Sequence, residues 1–244
     1  MKKAVFIFIL LLLALNSNAQ NNENRVKELM ANIPKITADY ESLEKSHIIF
    51  YFPSGGAARY KMPCKINNGD SINIHIQHFD GIPWYKEWDK NGYCTKNILW
   101  SPQIDEILTR EHFANSLFYI TKIFYSNGNL KEKGVASQLG FKIGLWYHYD
   151  EKGNVIKIED NDKGYKFTTK DVLLFCLNNN ITIKDNYISE YCEVLGWWFI
   201  NKFTDENNPM WKITQRLRSK ERIIIIDGKT GRVISDREEF VIDD

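Results

Sequence analysis

Hydrophobic positions follow a helical spacing near the N-terminus and a strand-like alternation along most of the remaining chain. Between residues 22 and 46, apolar side chains recur at mostly helical spacing, which predicts one helix with a break at Pro34. From His47 onward, short β-rich runs are separated by Asn-Gly and related turn sequences, which is typical of antiparallel hairpins. The strands predicted in this part are 48–52, 72–79, 119–125 and 145–149.

A second helix is predicted inside the hairpin region. Ser101-Pro102 has the form of an N-cap followed by proline at the first helical position. The apolar residues that would share one face of this helix are Ile104, Ile107, Leu108 and Leu117. We therefore predict a helix at 102–117.

The last part of the chain combines one helix with several strands. Thr169 is placed to cap a helix at 171–177, and the Asn178-Asn179-Asn180 run is expected to end it. The strands predicted after this helix are 196–203, 210–217, 222–227 and 232–235, with a turn at 228–231.

The first residues match a secretory signal. Lys2 and Lys3 precede 12 consecutive apolar residues, and Ser17 and Ala19 supply the small side chains that a signal peptidase requires. In a helix this apolar run would span about 18 Å, which is too short for a transmembrane anchor in a hydrocarbon core of ~30 Å. We predict cleavage after Ala19, export to the periplasm, the cell surface or the medium, and no stable membrane span after cleavage.

Composition and charge narrow the class of protein. Of the 244 residues, 43% are hydrophobic and 26% are charged, which is typical of a soluble globular protein and argues against disorder. The 32 Lys and Arg residues nearly balance the 31 Asp and Glu residues. No net field therefore favours nucleic acid or an anionic membrane surface as a partner.

Export would place four cysteines in an oxidising compartment, where either disulfides or buried thiols are compatible with a core of this size. These residues are Cys64, Cys94, Cys176 and Cys192. Their wide separations exclude a C-x-x-C redox motif and a zinc knuckle. Cys176 lies within an apolar run, where a buried free thiol is the simpler interpretation.

The hairpin region contains an internal repeat, in which an aromatic residue ends one strand, a glycine allows the turn, and a second strand returns. Copies begin at Tyr51, Trp88, Tyr125 and Tyr149. The later copies read Tyr125-x-x-Gly128-x-Leu130, Gly144-x-Trp146-x-x-Tyr149 and Gly153-x-Val155. This stretch resembles the MORN-repeat-variant family, some of whose members are labelled antitoxin components of toxin–antitoxin systems. The resemblance implies a β-hairpin array and no catalytic residues.

The C-terminal hairpin carries a second resemblance. The sequence Asp-Gly-Lys-Thr-Gly-Arg-Val-Ile at 227–234 follows a Pro-Met-Trp-Lys-Ile strand at 209–213 and the helix predicted at 171–177. This arrangement resembles the C-terminal half of PepSY-like domains. The resemblance implies a helix packed on a small antiparallel sheet, and some members of that family are thought to inhibit or regulate peptidases.

Candidate catalytic and metal-binding residues are few. His75 and His78 are three residues apart in a predicted strand, so they would point to opposite faces and would not share a metal. The Asp-Asn-Asp-Lys-Gly segment at 160–164 lacks the complete acidic spacing of an EF-hand and is typical of a polar turn. Asp227 and Lys229 are interpreted as turn residues. No nucleophile elbow, Walker loop or His-Glu-x-x-His motif occurs in the sequence, so we predict no catalytic, metal-binding or cofactor-binding residue and no enzyme activity.

Adjacent aromatic residues are the best candidates for a binding surface. The pairs in predicted strands are Trp84 and Tyr85, Trp146 and Tyr147, and Trp197 and Trp198. Neighbouring residues of a strand point to opposite faces, so one member of each pair faces away from a core that covers only one face. Exposed Trp and Tyr commonly anchor protein or glycan ligands, whereas buried ones would form the cross-strand packing of the sheet itself.

These patterns predict an α+β protein, with an antiparallel β-hairpin array and an N-terminal helix followed by a small helix-on-antiparallel-sheet domain. Its segments are a signal peptide at 1–19, the helix and MORN-variant-like array at 20–165, and a PepSY-like domain at 166–244. The predicted function is an exported, non-enzymatic binding or scaffold protein of the cell envelope, with a protein or glycan ligand and no nucleic acid. The alternative is a peptidase inhibitor or regulator that acts through the PepSY-like domain.

Overall fold

The computed structural model describes residues 19–42, 75–79, 82–88, 94–101, 106–113, 116–125, 127–181, 183, 197–216 and 219–240. This part of the chain contains two helices and two antiparallel sheets, and strands make up most of it. The predicted α+β class with hairpin-linked antiparallel strands is therefore confirmed in outline. The strand predicted at 48–52 lies outside the described residues.

The first sheet has eight strands in sequence order, each antiparallel to its neighbours. Its strands are β1 His75–Phe79, β2 Ile82–Trp88, β3 Cys94–Ser101, β4 Glu106–His112, β5 Phe118–Tyr125, β6 Leu130–Ser137, β7 Lys142–Tyr149 and β8 Val155–Asp160. The turns after β5 and β7 contain Gly128 and Gly153, with φ of 87° and 88°. Only glycine adopts such angles freely, so the turns predicted from these glycines are confirmed.

The helix predicted at 102–117 is wrong where the structure describes this segment. Glu106–His112 forms β4, which is paired on both sides, with β3 and β5. Ile107 and Thr109 are buried, whereas Leu108 between them is only partly buried. A short apolar run fits either period, and here the two neighbouring strands bond the backbone and bury alternate side chains.

The second sheet follows helix α2, which spans Thr169–Asn178. Its strands are β9 Trp197–Asp205, β10 Asn208–Arg216, β11 Lys220–Asp227 and β12 Val233–Phe240, in the spatial order β12-β11-β10-β9. All four strands and the helix overlap the predicted ones, but α2 begins two residues before the predicted 171–177 and β12 continues five residues beyond the predicted 232–235. Thr168, rather than Thr169, is the N-cap, and it forms a reciprocal capping box with Asp171.

One hydrophobic core joins both helices to both sheets. Helix α1 occupies residues 19–31 and ends before Pro34, but the helix predicted to continue beyond this break is wrong for residues 35–42, which are not helical. It contributes Val26 and Leu29, which pack into the same cluster as residues of β5 to β7, α2 and β9 to β11. The largest fully buried members of this cluster are Trp211, Phe118, Leu117, Leu173, Ile181, Ile200 and Ile213.

The sequence is compatible with either disulfides or buried thiols, and the structure distinguishes them for one of the four cysteines. Cys176 of α2 is a free, fully buried thiol. Cys64 and Cys192 lie outside the described residues, and Cys94 is described only as the first residue of β3. Within the described part of the chain, no helix is long and apolar enough to cross a membrane.

Candidate functional site

The segment after α1, residues 32–42, lies across one face of the first sheet, and we call it the strap. Ser116 donates a hydrogen bond to the carbonyl oxygen of Asn32 at 2.8 Å. The hydroxyl of Tyr149 donates to the carbonyl oxygen of Ala38 at 2.9 Å. Ser42 closes the strap with an antiparallel bridge to Asn129. The strap is therefore tied to the sheet along its length.

Two lysines on neighbouring strands hold the strap through one glutamate. Lys122 of β5 and Lys133 of β6 lie directly opposite each other and so share a face of the sheet. Nζ of Lys133 lies 2.9 Å from one carboxylate oxygen of Glu41, and Nζ of Lys122 lies 2.6 Å from the other. Because Lys133 is only 2% exposed, Glu41 compensates an ammonium group that has little access to water.

The pKa values around the strap follow from this pairing. Burial raises the pKa of Glu41, but the hydrogen bonds and charges of the two lysines outweigh burial and leave it below its ordinary value. Burial lowers the pKa of Lys122, and its bonds to Glu41 and Glu111 more than reverse that effect. Burial raises the pKa of Tyr149 to about 12. Near pH 7, Glu41 and Lys122 are therefore charged and Tyr149 is neutral.

Beyond the strap, the same face of the sheet carries exposed apolar side chains. Lys133 lies opposite Tyr147, and Tyr147 lies opposite Ile158, so all three share this face. Leu145 is two residues from Tyr147 and points the same way, while Ile156 lies at a bulge of β8. Leu145, Ile156 and Ile158 are 45%, 66% and 56% exposed. We call Leu145, Tyr147, Ile156 and Ile158 the apolar strip.

The opposite face of β7 carries a buried tryptophan and a histidine that contacts two glutamates. Trp146 is 2% exposed, its indole N–H donates to the carbonyl oxygen of Val135 at 3.1 Å, and Lys142 lies 3.7 Å above the ring centre. His148 lies 3.2 Å from carboxylate oxygens of both Glu132 and Glu159. The alternation predicted for Trp146 and Tyr147 is therefore present, with the tryptophan buried and the tyrosine half-exposed.

A polar cavity of about 340 Å³ lies where the two sheets meet. Beside it, Lys202 of β9 donates to the carbonyl oxygen of Asn161 at 3.0 Å and pairs with Asp162. The ammonium group lies 4.9 Å from the ring centre of Trp211 and 5.1 Å from that of Tyr165. Burial lowers the pKa of Lys202, and Asp162 offsets part of this effect. Lys202 of the second sheet thus contacts the turn that follows the first sheet.

The six predicted surface aromatics lie in three different places. Trp84 and Tyr85 belong to β2 and Trp197 to β9, and their side chains lie outside the described part of the structure. Trp198 is half-buried and packs against the core.

Trp146 is buried, so it is not available as an exposed anchor. Tyr147 is half-exposed and shares a face of the sheet with the exposed side chain of Ile158. The binding role predicted for the set as a whole stays a prediction.

Sequence reasoning missed the aliphatic members of the apolar strip. The signal was present in β8, where Ile156 and Ile158 alternate with Lys157 and Glu159. That alternation gives a strand with one apolar and one charged face, after the last glycine turn of the hairpin array. A search restricted to tryptophan and tyrosine does not detect these aliphatic residues.

The acidic turns use their carboxylates within the chain. In the 160–164 segment, Asp162 accepts a hydrogen bond from the Gly144 N–H at 2.8 Å and pairs with Lys202. Asp227 accepts hydrogen bonds from the N–H groups of Lys229 and Thr230, as expected for turn residues. His75 and His78 lie on β1, with side chains outside the described part. No group of three or more His, Cys, Asp or Glu residues within the described ranges could hold a metal ion.

Comparison with protein-family models and with curated proteins found no match to this chain. The resemblances to MORN-repeat variants and to PepSY-like domains therefore stay predictions.

Proposed function

We propose that the protein is an exported, non-enzymatic binding or scaffold protein of the cell envelope, and that the apolar strip is its surface for a protein partner. The observation that carries this proposal is the exposure of Leu145, Ile156 and Ile158 side by side on two neighbouring strands. Single exposed aliphatic residues are ordinary, but a contiguous group marks an interaction surface.

Burial of these side chains against a partner would be more favourable than their exposure to water. Fully burying one isoleucine or leucine side chain contributes about 1.5–3 kcal/mol. The half-exposed Tyr147 adds an aromatic ring with a polar end, a side chain that is enriched in protein interfaces. The strap fixes the sheet beside the strip, so the surface is held in shape before a partner arrives.

Retention of envelope proteins by the immobilised whole protein tests the proposed surface. A variant with Ile156→Ser and Ile158→Ser should bind a retained partner about a hundredfold more weakly, because two buried isoleucines contribute about 3 kcal/mol or more. The control carries Val233→Ser and Ile234→Ser on β12, where both residues are also exposed. Equal retention by both variants would contradict the apolar strip as the binding surface.

Export is tested separately by the N-terminus of the mature chain. Mass spectrometry of protein recovered outside the cytoplasm should find Gln20 as the first residue, in free or cyclised form, because Ser17 and Ala19 satisfy the signal peptidase. A chain that retains residues 1–19 would contradict the exported part of the proposal.

The alternative function, a peptidase inhibitor that acts through residues 166–244, has one observation in its favour. β12 forms an outer strand of the second sheet and is exposed along nearly its whole length, with Phe240 76% exposed. Outer strands can receive an extended peptide segment by adding it to the sheet. If a retained peptidase is lost only from the Val233→Ser and Ile234→Ser variant, this alternative is favoured.

A further inference from the structure

The strand β8 ends the first sheet and leaves one side of its backbone without a described partner strand. The N–H of Asn161 donates to the carbonyl oxygen of Gly144 at 3.0 Å, and this bond fixes the phase of the ladder between β7 and β8. Lys157 and Glu159, which alternate with Asn161, direct their backbone groups toward β7. Ile158 and Asp160 therefore direct their N–H and C=O groups away from β7, and the Asp160 carbonyl already accepts a hydrogen bond from the Lys163 N–H at 3.3 Å.

Charge selects one register if this edge meets a second copy of itself. Antiparallel pairing about Ile158 places Lys157 opposite Glu159 of the second copy, and Glu159 opposite its Lys157. A shift that centres the pair on Lys157 sets two lysines opposite each other, and a shift that centres it on Glu159 sets two glutamates opposite each other. Opposite charges across a strand pair stabilise it, whereas like charges destabilise it. Of these three registers, only the one centred on Ile158 pairs opposite charges.

The backbone geometry favours the same register. Ile158 opposite Ile158 would form a hydrogen-bonded pair, in which the two outward N–H and C=O groups exchange two bonds. Lys157 and Glu159 would then form the non-hydrogen-bonded pairs, whose side chains approach most closely. Hydrogen bonding and charge therefore agree on one arrangement.

We propose that β8 pairs antiparallel with β8 of a second copy of this chain, with a two-fold axis at Ile158. Because a two-fold contact uses the same edge of both copies, it closes at the dimer and does not add a third copy. The bulge at Ile156 confines regular pairing to the residues after it.

This inference rests on the proposed function, because it uses the same surface. In the paired sheet, the face that carries the apolar strip continues from one copy into the other. The two strips then meet at Ile158 and form one symmetric surface. Self-association would enlarge the proposed binding surface and would cover only the side of Ile158 that meets its counterpart across the axis.

The charged pair contributes specificity more than affinity. In the single chain, Lys157 lies 2.9 Å from Glu159, and their side chains are 60% and 39% exposed. A pair this exposed contributes little to stability, so exchanging it for the equivalent pair between copies costs little. Affinity would come from the backbone bonds and from burial of Ile158, which is 56% exposed in the single chain.

Sedimentation velocity with charge reversals tests the proposal on the whole purified protein. The chain should shift from monomer to dimer as its concentration rises. Lys157→Glu places two pairs of glutamates across the axis and Glu159→Lys places two pairs of lysines there, so each variant alone should sediment as a monomer. An equimolar mixture of the two variants restores both opposite-charge pairs and should sediment as a dimer. The double variant K157E/E159K should also dimerise.

The control is Lys152→Glu, a charge reversal in the exposed turn between β7 and β8, which should dimerise like the parent chain. Circular dichroism of each variant checks folding, and the mixture itself tests whether the two single variants are still able to dimerise.

A parent chain that stays monomeric at every concentration overturns the proposal, as does a dimer that survives both single reversals. A monomeric chain that still loses its retained partner on Ile156→Ser and Ile158→Ser substitution would overturn self-pairing alone and leave the proposed binding surface standing.

Discussion

Gly134 of β6 lies directly beneath the buried ring of Trp146. A Cβ atom built on this glycine would overlap the indole ring. The ring cannot withdraw easily, since its N–H is bonded to Val135 and Lys142 covers its outer side. Glycine at this position is therefore required by packing, and its φ lies outside the left-handed region.

Gly134→Ala should lower the free energy of unfolding by about 2 kcal/mol or more, because it overpacks a filled site. Urea unfolding measures the change. The control is Gly144→Ala, where φ is 61° and no atom lies within 4 Å of the added Cβ, so backbone strain alone should cost about 1 kcal/mol. Equal losses at the two glycines would contradict the packing role of Trp146.

The thiol of Cys176 makes stability sensitive to alkaline pH. Burial raises its pKa from 9.0 to about 12. Between these values the unfolded chain loses the thiol proton and the folded chain keeps it, so stability falls as the pH rises, by about 1.4 kcal/mol per pH unit. Urea unfolding from pH 9.5 to 11 should show a slope shallower by about that amount in Cys176→Ala than in the parent chain. Parallel slopes would show that the thiol ionises equally in both states.

At the scale of single elements, the strap depends on one carboxylate placed between two lysines. Glu41→Gln should lower the free energy of unfolding by about 2 kcal/mol, since it leaves the buried Lys133 without its counter-charge. Because the pKa of Glu41 is lowered in the folded chain, its contribution is present at neutral pH and is lost as the pH falls through that pKa. The variant should therefore differ least from the parent in acid.

A double-mutant cycle separates the interaction energy of Glu41 and Lys133 from the other effects of each substitution. Adding Lys133→Met to Glu41→Gln should cost less than the sum of the two single changes, because the methionine needs no counter-charge. Glu28→Gln is the matched control, since Glu28 pairs with Arg25 on the exposed side of α1 and should change stability by about 0.5 kcal/mol or less. Additive losses at Glu41 and Lys133 would contradict the role assigned to their contact.

The elements that local sequence determines are the ones that could be predicted. Turns at Gly128 and Gly153 fix the hairpins around them, and the capping residues fix the start of α2 to within two residues and its end to within one. The segment at 106–112 could not be assigned by its apolar spacing, because neighbouring strands decide its period. The strap could not be predicted at all, since Lys133 meets Glu41 across 92 residues of sequence.

The candidate surface was predictable only in part, for a related reason. Alternation separates Tyr147 from Trp146, but it does not say which face the strap and the core will cover. Long-range packing buries Trp146 and leaves Leu145 and Ile158 exposed. The sequence therefore indicates the strands that form the surface, and tertiary structure selects the exposed side chains.

At the scale of the whole molecule, the boundary predicted near residue 165 falls between two sheets that share one core. Trp211 of the second sheet packs edge-on against Phe141, with ring centres 5.4 Å apart. The N–H of Ile200 donates to the carbonyl oxygen of Leu139 at 2.8 Å, so the sheets are also joined through the backbone. The division into domains at this residue stays a prediction. It requires each part to remain stably folded after the contacts with the other part are lost.

Separate expression of residues 166–244 tests that division. The fragment would expose Trp211, Ile200 and Ile213, which are 0–1% exposed in the whole chain and share their core with α1 and the first sheet. Losing the cover of three large buried side chains costs several kcal/mol, comparable with the whole stability of a small domain. We expect the whole chain to unfold in one urea transition and the fragment to show narrow amide dispersion with no cooperative transition. A fragment that unfolds cooperatively would instead establish 166–244 as an independent domain.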